Sequence, residues 1–306
     1  MTRRALGAAL GSGVVLLDGG LATQLEAQGH DLGSALWSAR LLADDPDAVL
    51  AAHAAFFAAG AQVATTASYQ ASFDGLAAAG FDRAETEELL RRSVALAARA
   101  RDEAGGGPRW VAASVGPYGA ARADGSEYRG DYGLGVDELR GWHRPRLEVL
   151  AATDADVLAC ETLPCLAEVE AVVAEVQRIG RPAWVSVTCA GGRTRAGEPA
   201  AEAFGLVRGV EEIVAVGVNC SDPDEAGALV AVAAGASGLP VVVYPNRGEA
   251  WDAVGRRWTG SAVFDAEAVP GWVTDGARLV GGCCRVRPED IAALAAVLDA
   301  DQEVVR

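Results

Sequence analysis

The stretch that decides the fold is Ile213-Val214-Ala215-Val216-Gly217-Val218-Asn219-Cys220. Its apolar and β-branched residues run on without alternation, which is typical of a strand buried on both faces of a parallel sheet. A cysteine follows directly where the predicted strand ends. The same arrangement recurs at Arg278-Leu279-Val280-Gly281-Gly282-Cys283-Cys284. Because the carboxyl ends of parallel strands lie at one edge of a sheet, the sequence predicts three thiols at a shared edge.

Strand-like runs of this kind alternate with alanine- and leucine-rich segments along the whole chain. The predicted strands are residues 14–18, 62–66, 110–114, 157–161, 183–188, 213–218, 240–244 and 278–281. The predicted helices are residues 45–59, 85–103, 136–151, 166–178, 200–208, 222–234, 265–274 and 288–298. Eight strands, each followed by a helix, indicate an α/β protein with a single (β/α)8 barrel domain over residues 1–306. A doubly wound sheet is disfavoured, because no G-x-G-x-x-G follows Asp18-Gly19-Gly20.

The composition excludes several classes of partner. The formal net charge is −16 over 306 residues, and the sequence pI is near 4.6. Nucleic acids and anionic membranes bind basic patches, so we expect neither as a partner. Small-molecule substrates are the expected partners, handled by a monomer or a small homo-oligomer.

The sequence also bears on the compartment. No run reaches the roughly 18 apolar residues that a transmembrane helix requires. The first ten residues faintly resemble a signal peptide, but they lead through Gly11-Ser12-Gly13 straight into the first predicted strand. We therefore expect residues 1–12 to form a flexible or capping tip. Six cysteines in so long a chain are unlike a secreted disulfide scaffold, so the cytoplasm is the expected compartment.

The three strand-end thiols suit a metal ion. Three thiolates without an obvious fourth protein ligand match a zinc ion that keeps one coordination position open, as catalytic zinc sites do. One ion per chain is expected, with the ligands Cys220, Cys283 and Cys284. Two other interpretations stay open from the residues alone: a reactive vicinal thiol pair, and thiols packed as small apolar side chains. Packing is the expected role of the remaining cysteines, Cys160, Cys165 and Cys189.

Two long segments follow predicted strands at the same edge. Residues 116–135 and 246–260 are rich in glycine, charged residues and aromatic residues. Long loops at a catalytic edge commonly act as lids. We therefore expect both segments to lie over the thiols.

Segments along most of the chain resemble one enzyme family. They are Leu17-Asp18-Gly19-Gly20, Thr66-Ala67-Ser68-Tyr69-Gln70, Val115-Gly116-Pro117-Tyr118-Gly119, Gly125-Ser126-Glu127-Tyr128-Arg129-Gly130-Asp131-Tyr132, Glu161-Thr162, Gly217-Val218-Asn219-Cys220, Tyr244-Pro245-Asn246 and Gly281-Gly282-Cys283-Cys284. Together they are similar to the homocysteine S-methyltransferase family, in which zinc held by three cysteines activates a thiol for methylation. The segment from Gly125 to Tyr132 resembles the bacterial and plant branch, which uses S-methylmethionine or S-adenosylmethionine, more than the betaine-dependent branch.

The resemblance implies a reaction. A zinc-dependent enzyme of this family transfers a methyl group from a sulfonium donor to the thiol of L-homocysteine and makes methionine. Cys220, Cys283 and Cys284 are then the expected catalytic residues as well as the metal ligands. The chemistry is reasonable, because only a thiolate is an effective nucleophile and a zinc ion lowers the pKa of a thiol. A sulfonium already carries a good leaving group, so displacement needs orientation more than acid catalysis.

Residues at the strand ends are expected to bind the substrate, although for Thr65 and Thr66 a strand-forming role is an equal alternative. The expected residues lie at or just after strand ends and are Asp18, Gly19, Gly20, Thr65, Thr66, Glu161 and Asn246. Asp18 and Glu161 match acids that contact the amino acid in the family, and we expect them to hold its ammonium group. The amides of Gly19 and Gly20 are expected to meet its carboxylate. Asn246 is expected near the metal.

Aromatic faces and acids together favour a sulfonium cation, which predicts a donor site in the first lid. The expected donor contacts are Tyr118, Glu127, Tyr128 and Arg129. The alternative is a solvated lid whose aromatic residues pack on the barrel. Two alternative functions also stay open: methylation of another thiol or of a selenol such as selenocysteine, and a non-catalytic zinc- or redox-sensing barrel. The strand-end acids and the lids count against a sensor, because a sensor needs neither.

Overall fold

The structure is a computed structural model that describes residues 5–32, 36, 38–252 and 257–304. Its central sheet has eight parallel strands. They are β1 (Val15–Leu16), β2 (Val63–Thr65), β3 (Trp110–Val115), β4 (Val157–Leu163), β5 (Ala183–Val187), β6 (Ile213–Asn219), β7 (Val241–Tyr244) and β8 (Ala277–Val280). Each predicted strand overlaps one of these, and the predicted (β/α)8 barrel is confirmed.

Backbone pairing closes the sheet into a barrel. Neighbouring strands pair in parallel in sequence order from β2 to β8, and β8 pairs with β1. A parallel bridge between Leu17 and Val63 joins β1 to β2 and completes the ring. Closure places the carboxyl ends of all the strands around one rim, which is where barrel enzymes carry their active sites.

Helices surround the barrel, and shorter helices occupy several loops. The described helices are α1 (Leu6–Leu10), α2 (Leu21–Ala27), α3 (Ser38–Asp44), α4 (Pro46–Ala58), α5 (Phe73–Ala78), α6 (Arg83–Ala104), α7 (Tyr118–Arg122), α8 (Val136–Ala151), α9 (Leu166–Ile179), α10 (Ala200–Gly205), α11 (Pro223–Ser237), α12 (Val269–Thr274) and α13 (Pro288–Val304). The eight predicted helices all overlap members of this set. Within the described ranges, we find no helix with the length and apolar composition that crossing a bilayer requires.

The amino-terminal end of the barrel is closed by α1. Leu6 and Leu10 are buried in the same apolar cluster as the barrel-interior residues Trp110 and Trp184. Burying a leucine side chain stabilises a fold by about 2 kcal/mol, so α1 is held against the barrel floor. For residues 5–12 the capping role therefore describes the structure better than a flexible tip does. Residues 1–4 lie outside the described part of the chain.

The two predicted lids have different structures. Residues 116–135 contain α7 and a 3-10 turn at Ser126–Tyr128, and Glu127 and Tyr128 of this turn line the cavity at the rim. Residues 246–260 contain a hairpin that pairs Ala250–Asp252 with Arg257–Thr259. The tip of that hairpin, residues 253–256, is outside the described residues.

The side chain of His53 is buried, and the described residues offer it no hydrogen bond. His53 lies on α4 and is fully buried, and neither of its ring nitrogens has a hydrogen-bond partner among the residues that the structure describes. Burial lowers the pKa of His53 to about 4, because an imidazolium is poorly solvated in an apolar interior.

Acidification should therefore destabilise the protein through His53. An unfolded chain binds a proton at this imidazole below pH 6.5, whereas the folded chain does not until about pH 4, so the free energy of unfolding falls over that window. The loss amounts to about 2 kcal/mol at pH 5. Urea unfolding at pH 7.5 and pH 5 measures it, and His53→Leu should show a fall smaller by this amount. Equal falls in both proteins would contradict the assignment.

Candidate active site

The three predicted ligand cysteines meet at the rim. Cys220 follows β6, Cys283 and Cys284 follow β8, and their sulfur atoms all lie within 4.8 Å of one another. The Sγ–Sγ distance is 3.7 Å between Cys220 and Cys284 and 4.0 Å between Cys283 and Cys284. Thiolates bound at about 2.3 Å to one tetrahedral zinc ion are about 3.8 Å apart. The donor set therefore fits a zinc ion in both chemistry and spacing.

The cluster favours one thiolate even by itself. Hydrogen bonds from the thiols of Cys283 and Cys284 hold the pKa of Cys220 well below its ordinary value. Their interaction with Cys220 raises the pKa of both partners. The Tyr128 hydroxyl lies 3.2 Å from Cys220 Sγ and adds a further hydrogen bond. A charged sulfur beside two thiols is suited to a divalent cation, whose binding releases the remaining protons.

Residues 245–247 tie the two cysteine-bearing turns together. The Cys283 N–H donates to the Pro245 carbonyl at 2.8 Å. The Cys284 N–H donates to Asn246 Oδ1 at 3.2 Å, and the Asn246 N–H donates to the Ser221 carbonyl at 3.0 Å. Asn246 thus lies beside the thiols, as expected, but it contacts the backbone of Cys284 and is outside the cavity lining.

The backbone is strained where the strands meet the site. Thr162, Cys220 and Arg285 have φ values of 62°, 51° and 71°, in a region that costs a residue with a side chain about 1 kcal/mol or more. Two hydrogen bonds from the Asn219 side chain offset the backbone strain at Thr162. The Asn219 amide oxygen accepts from the Thr162 N–H at 2.8 Å, and its amide nitrogen donates to the Thr162 hydroxyl at 2.7 Å. A register shift in β4 between Cys160 and Leu163 accompanies this turn. Such irregularities re-aim neighbouring side chains, and Glu161 lies inside this one.

Asp18 follows β1 and is held by the end of β2. The Thr65 N–H donates to Asp18 Oδ2 at 2.7 Å, and the Thr65 hydroxyl donates to Oδ1 at 2.9 Å. Burial raises the pKa of Asp18 to about 8 despite these bonds, and the charge of Glu161 adds to the rise. A carboxylate in such surroundings gains most from a cationic partner. Thr65 is therefore occupied in orienting Asp18.

Glu161 is the second buried acid. One carboxyl oxygen accepts from the Ser114 hydroxyl, and the other accepts from the Tyr244 hydroxyl at 3.0 Å. Burial raises the pKa of Glu161 to about 7. Since its charge acts on Asp18 from the other side of the barrel, the two acids share one space.

These groups line a single cavity at the rim. Its lining contains most of the predicted site residues, namely Asp18, Gly19, Gly20, Thr65, Thr66, Glu127, Tyr128, Glu161, Cys220, Cys283 and Cys284. The Gly20 N–H already donates to the Val286 carbonyl at 2.9 Å, so this amide is used within the chain. Among the described lining residues three are acids and none is lysine or arginine. The cavity therefore favours cationic groups.

Two of the predicted donor contacts lie elsewhere. Tyr118 packs edge-on against Tyr132 and Trp142, with ring centroids 5.2 and 5.1 Å away. Arg129 is half-exposed and pairs with Asp131 at 3.2 Å. Neither residue is part of the cavity lining. For Tyr118 and Arg129 the structure therefore agrees with the alternative interpretation, a solvated lid whose aromatic residues pack on the barrel.

The cavity also contains residues that the sequence analysis missed. They are Leu21, Ala22, Thr23, Tyr69, Gln70, Ser114, Thr162 and Tyr244. Ser114 lies next to the end of β3 and Tyr244 ends β7. Both could therefore have been predicted as site residues from their strand-end positions, as Asp18 was. Tyr69 and Gln70 follow β2 in a loop, where no local pattern tells which side chain turns inward.

Comparisons with known proteins agree with this geometry. A model of the homocysteine S-methyltransferase family matches residues 15–298. Homocysteine S-methyltransferase of Escherichia coli K12 is 44% identical over 293 residues, which cover 92% of this chain and 94% of that protein. Homocysteine S-methyltransferase YbgG of Bacillus subtilis 168 is 42% identical over 300 residues, with 92% and 94% covered.

Solved structures agree as well. The metallated form of the homocysteine methyltransferase MmuM from Escherichia coli superimposes with a TM-score of 0.85 at 42% identity, over 95% of this chain and 98% of that one. Its oxidized form gives a TM-score of 0.83 at 43% identity, over 93% and 96%. The chain therefore belongs to the homocysteine S-methyltransferase family.

Proposed function

We propose that this protein transfers a methyl group from a sulfonium donor, S-methylmethionine or S-adenosylmethionine, to the thiol of L-homocysteine and produces methionine. The observation that carries the proposal is one cavity that combines three clustered thiols with two buried acids. We assign the thiols to the reacting sulfur and the acids to the ammonium group of the same amino acid.

The metal is proposed to be zinc, one ion per chain, held by Cys220, Cys283 and Cys284. Thiolate ligands select zinc over harder cations, and three of them leave a coordination position open. When bound, zinc supplies a Lewis acid that lowers the pKa of the homocysteine thiol and holds its sulfur. Tyr128 keeps Cys220 in place through its hydroxyl, as partners of metal ligands commonly do.

Asp18 and Glu161 are proposed to bind the ammonium group of homocysteine. Both are buried, and hydrogen bonds from Thr65, Ser114 and Tyr244 fix their orientation. An ammonium between them offsets the cost of keeping two carboxylates charged in a buried place. This contact holds the amino end of homocysteine and so contributes to the binding of the substrate.

The transfer is a single displacement. The homocysteine thiol gives up its proton to solvent and reacts as a thiolate. Its sulfur forms a bond to the methyl carbon, and the bond from that carbon to the donor sulfur breaks. The donor sulfur keeps the bonding electrons and leaves as a neutral thioether, so no side chain has to protonate it. The protein's own contribution is therefore orientation and exclusion of water.

Asp18→Asn tests the ammonium contact. We expect the KM for homocysteine to rise roughly 10- to 100-fold, the range for losing one charged hydrogen bond, with kcat and metal content nearly unchanged. Steady-state kinetics at a saturating donor concentration gives both constants. Asp137→Asn removes a 95% exposed carboxylate and serves as the control. A fall in kcat with KM unchanged would contradict the assignment.

The reaction itself is tested by incubating the purified protein with homocysteine and either donor, with and without a chelator, and following methionine by mass spectrometry. Cysteine and selenocysteine are included as competing acceptors. We expect methionine as the main product and its loss with the chelator. Preferential methylation of a competitor, or formation of methionine in the fully metal-free protein, would overturn the proposal.

A further inference from the structure

Glu127 is a buried acid that has no role in the proposed binding of homocysteine. It lies in the 3-10 turn after α7 and lines the cavity. Only 8% of the residue is exposed, and no described residue donates a hydrogen bond to its Oε2. Burial raises the pKa of Glu127 to about 7. A buried carboxylate oxygen without a donor indicates that its partner comes from outside the chain.

The contrast with the other two acids is clear. Both carboxyl oxygens of Asp18 and Glu161 accept hydrogen bonds from the chain. Gln70 resembles Glu127 instead: it is 5% exposed and lines the cavity. Its amide nitrogen donates to the Ala120 carbonyl at 3.1 Å, while its Oε1 has no hydrogen-bond partner in the described part of the chain. The cavity thus has a second pair of polar side chains, Glu127 and Gln70, and each of these has one oxygen that accepts no hydrogen bond from the described residues.

This second pair adjoins the thiols. Tyr128 directly follows Glu127, and its hydroxyl lies 3.2 Å from Cys220 Sγ. Tyr69 precedes Gln70 and lines the same cavity. Two acceptors and two aromatic rings therefore share the lining of one cavity, and this part of the lining, the wall, suits a cation.

The turn is built to hold Glu127 in place. Asp124 Oδ1 accepts from the Ser126 N–H at 3.0 Å. Gly119 packs under the turn so closely that a Cβ at this position would lie 2.3 Å from the Glu127 nitrogen. Since no side chain fits there, the close contact between α7 and the turn depends on glycine.

We propose that Glu127 is the counter-charge for the sulfonium of the methyl donor, with Gln70 as its neighbour in the same wall, and that it makes the site specific for cationic donors. The inference rests on the proposed function. It assigns the donor contact to Glu127 and Tyr128 among the residues expected from the sequence, and it adds Gln70.

The charge change in the reaction gives the proposal a kinetic signature. The sulfonium loses its positive charge as the methyl leaves, so its attraction to Glu127 weakens toward the transition state. Glu127 therefore binds the donor more strongly than it stabilises the transition state. Removing the charge should raise the KM for the donor and leave kcat within about threefold. The thioether product is neutral and is not attracted to Glu127, so it should dissociate more readily than the donor.

The test uses two ligands of one shape. S-methylmethionine carries a sulfonium, and 2-amino-5-methylhexanoic acid has a neutral CH in its place. Calorimetric titration of the zinc-loaded protein without homocysteine gives both dissociation constants. We expect the wild-type protein to prefer the sulfonium roughly 30-fold or more, and Glu127→Gln to bind the two ligands about equally. Glu127→Asp should show an intermediate preference, and Asp131→Asn in the same lid should keep the full preference.

Three results would overturn the inference: no preference in the wild-type protein, an unchanged preference in Glu127→Gln, or an equal weakening of both ligands in that variant. The last would assign Glu127 to the donor's amino group. Thermal melting of each variant checks that it is folded. Methionine formation by the wild-type protein is scored separately, so failure of this inference is distinct from failure of the proposed function.

Discussion

Cys284→Ser should abolish metal binding and lower methionine formation at least about a hundredfold, while the barrel stays folded. In the proposed mechanism a thiolate nucleophile is held beside the donor, and loss of one of three metal ligands would remove both its activation and its position. Cys284 Sγ lies 3.7 Å from Cys220 Sγ and 4.0 Å from Cys283 Sγ, so it contacts both of the other thiols. Metal per chain is measured by mass spectrometry, and folding by circular dichroism.

Cys165→Ser is the matched control for this prediction. Cys165 is the N-cap of α9 and makes no capping hydrogen bond with its side chain. Serine is a preferred N-cap residue, so the same substitution here should preserve or slightly raise stability and leave metal content and turnover unchanged. If Cys284→Ser retained full metal and normal turnover, the assignment of the ligands would be wrong.

Arg146→Met should lower the free energy of unfolding by about 3–5 kcal/mol, the cost of removing one member of a buried charged network. Arg146 is 1% exposed. Its guanidinium donates to the Gly116 carbonyl at 2.6 Å and to His143 Nδ1 at 3.1 Å. Because arginine cannot accept, His143 must donate through Nε2 to Glu168, 2.8 Å away. The substitution would leave the buried Gly116 carbonyl and His143 Nδ1 without their donor, and it would remove the positive charge that interacts with the buried Glu168.

Arg144→Met, on the same helix, is the control. Its guanidinium pairs with Glu175 at 2.8 Å, but its side chain is 43% exposed, and Glu175 keeps Arg140 and Arg178 as partners. We expect a loss below about 1 kcal/mol. Urea unfolding of both variants measures the difference. Equal losses would show that the buried network contributes no more than a surface ion pair.

The barrel could be predicted from the sequence because its strands are buried on both faces. A continuous apolar run such as residues 213–218 does not depend on distant contacts for its identity, and the helix that follows it begins with the capping Asp222. The short helices α2, α3, α5 and α7 were not predicted. They lie in loops, where tertiary contacts rather than local periodicity determine the conformation.

The thiol cluster was predictable for a similar reason. Strand order fixes the rim, and a residue within a few positions after a strand end lies there, as Cys220 and Cys283 do. Side chains from loops were not predictable in the same way. Tyr118 and Glu127 belong to one lid segment, yet Tyr118 packs against Trp142 and Glu127 lines the cavity. The fold of the lid decides between them, and sequence spacing does not.

Arg146 shows a second limit. Arginine in the middle of a helix predicts an exposed side chain, because charged residues are seldom buried without partners. Here the partners are the Gly116 and Tyr69 carbonyls and His143. Two of these come from the loops after β2 and β3, so only the assembled barrel shows that these loops are tied to α8.

We propose that Cys220, Cys283 and Cys284 hold a zinc ion whose open position would receive the homocysteine sulfur. X-ray absorption at the zinc edge measures the number of sulfur ligands directly. We predict three sulfur ligands at about 2.3 Å in the zinc-loaded protein and four after homocysteine is added. A sulfur number that stays at three while the same sample converts homocysteine to methionine would contradict the account.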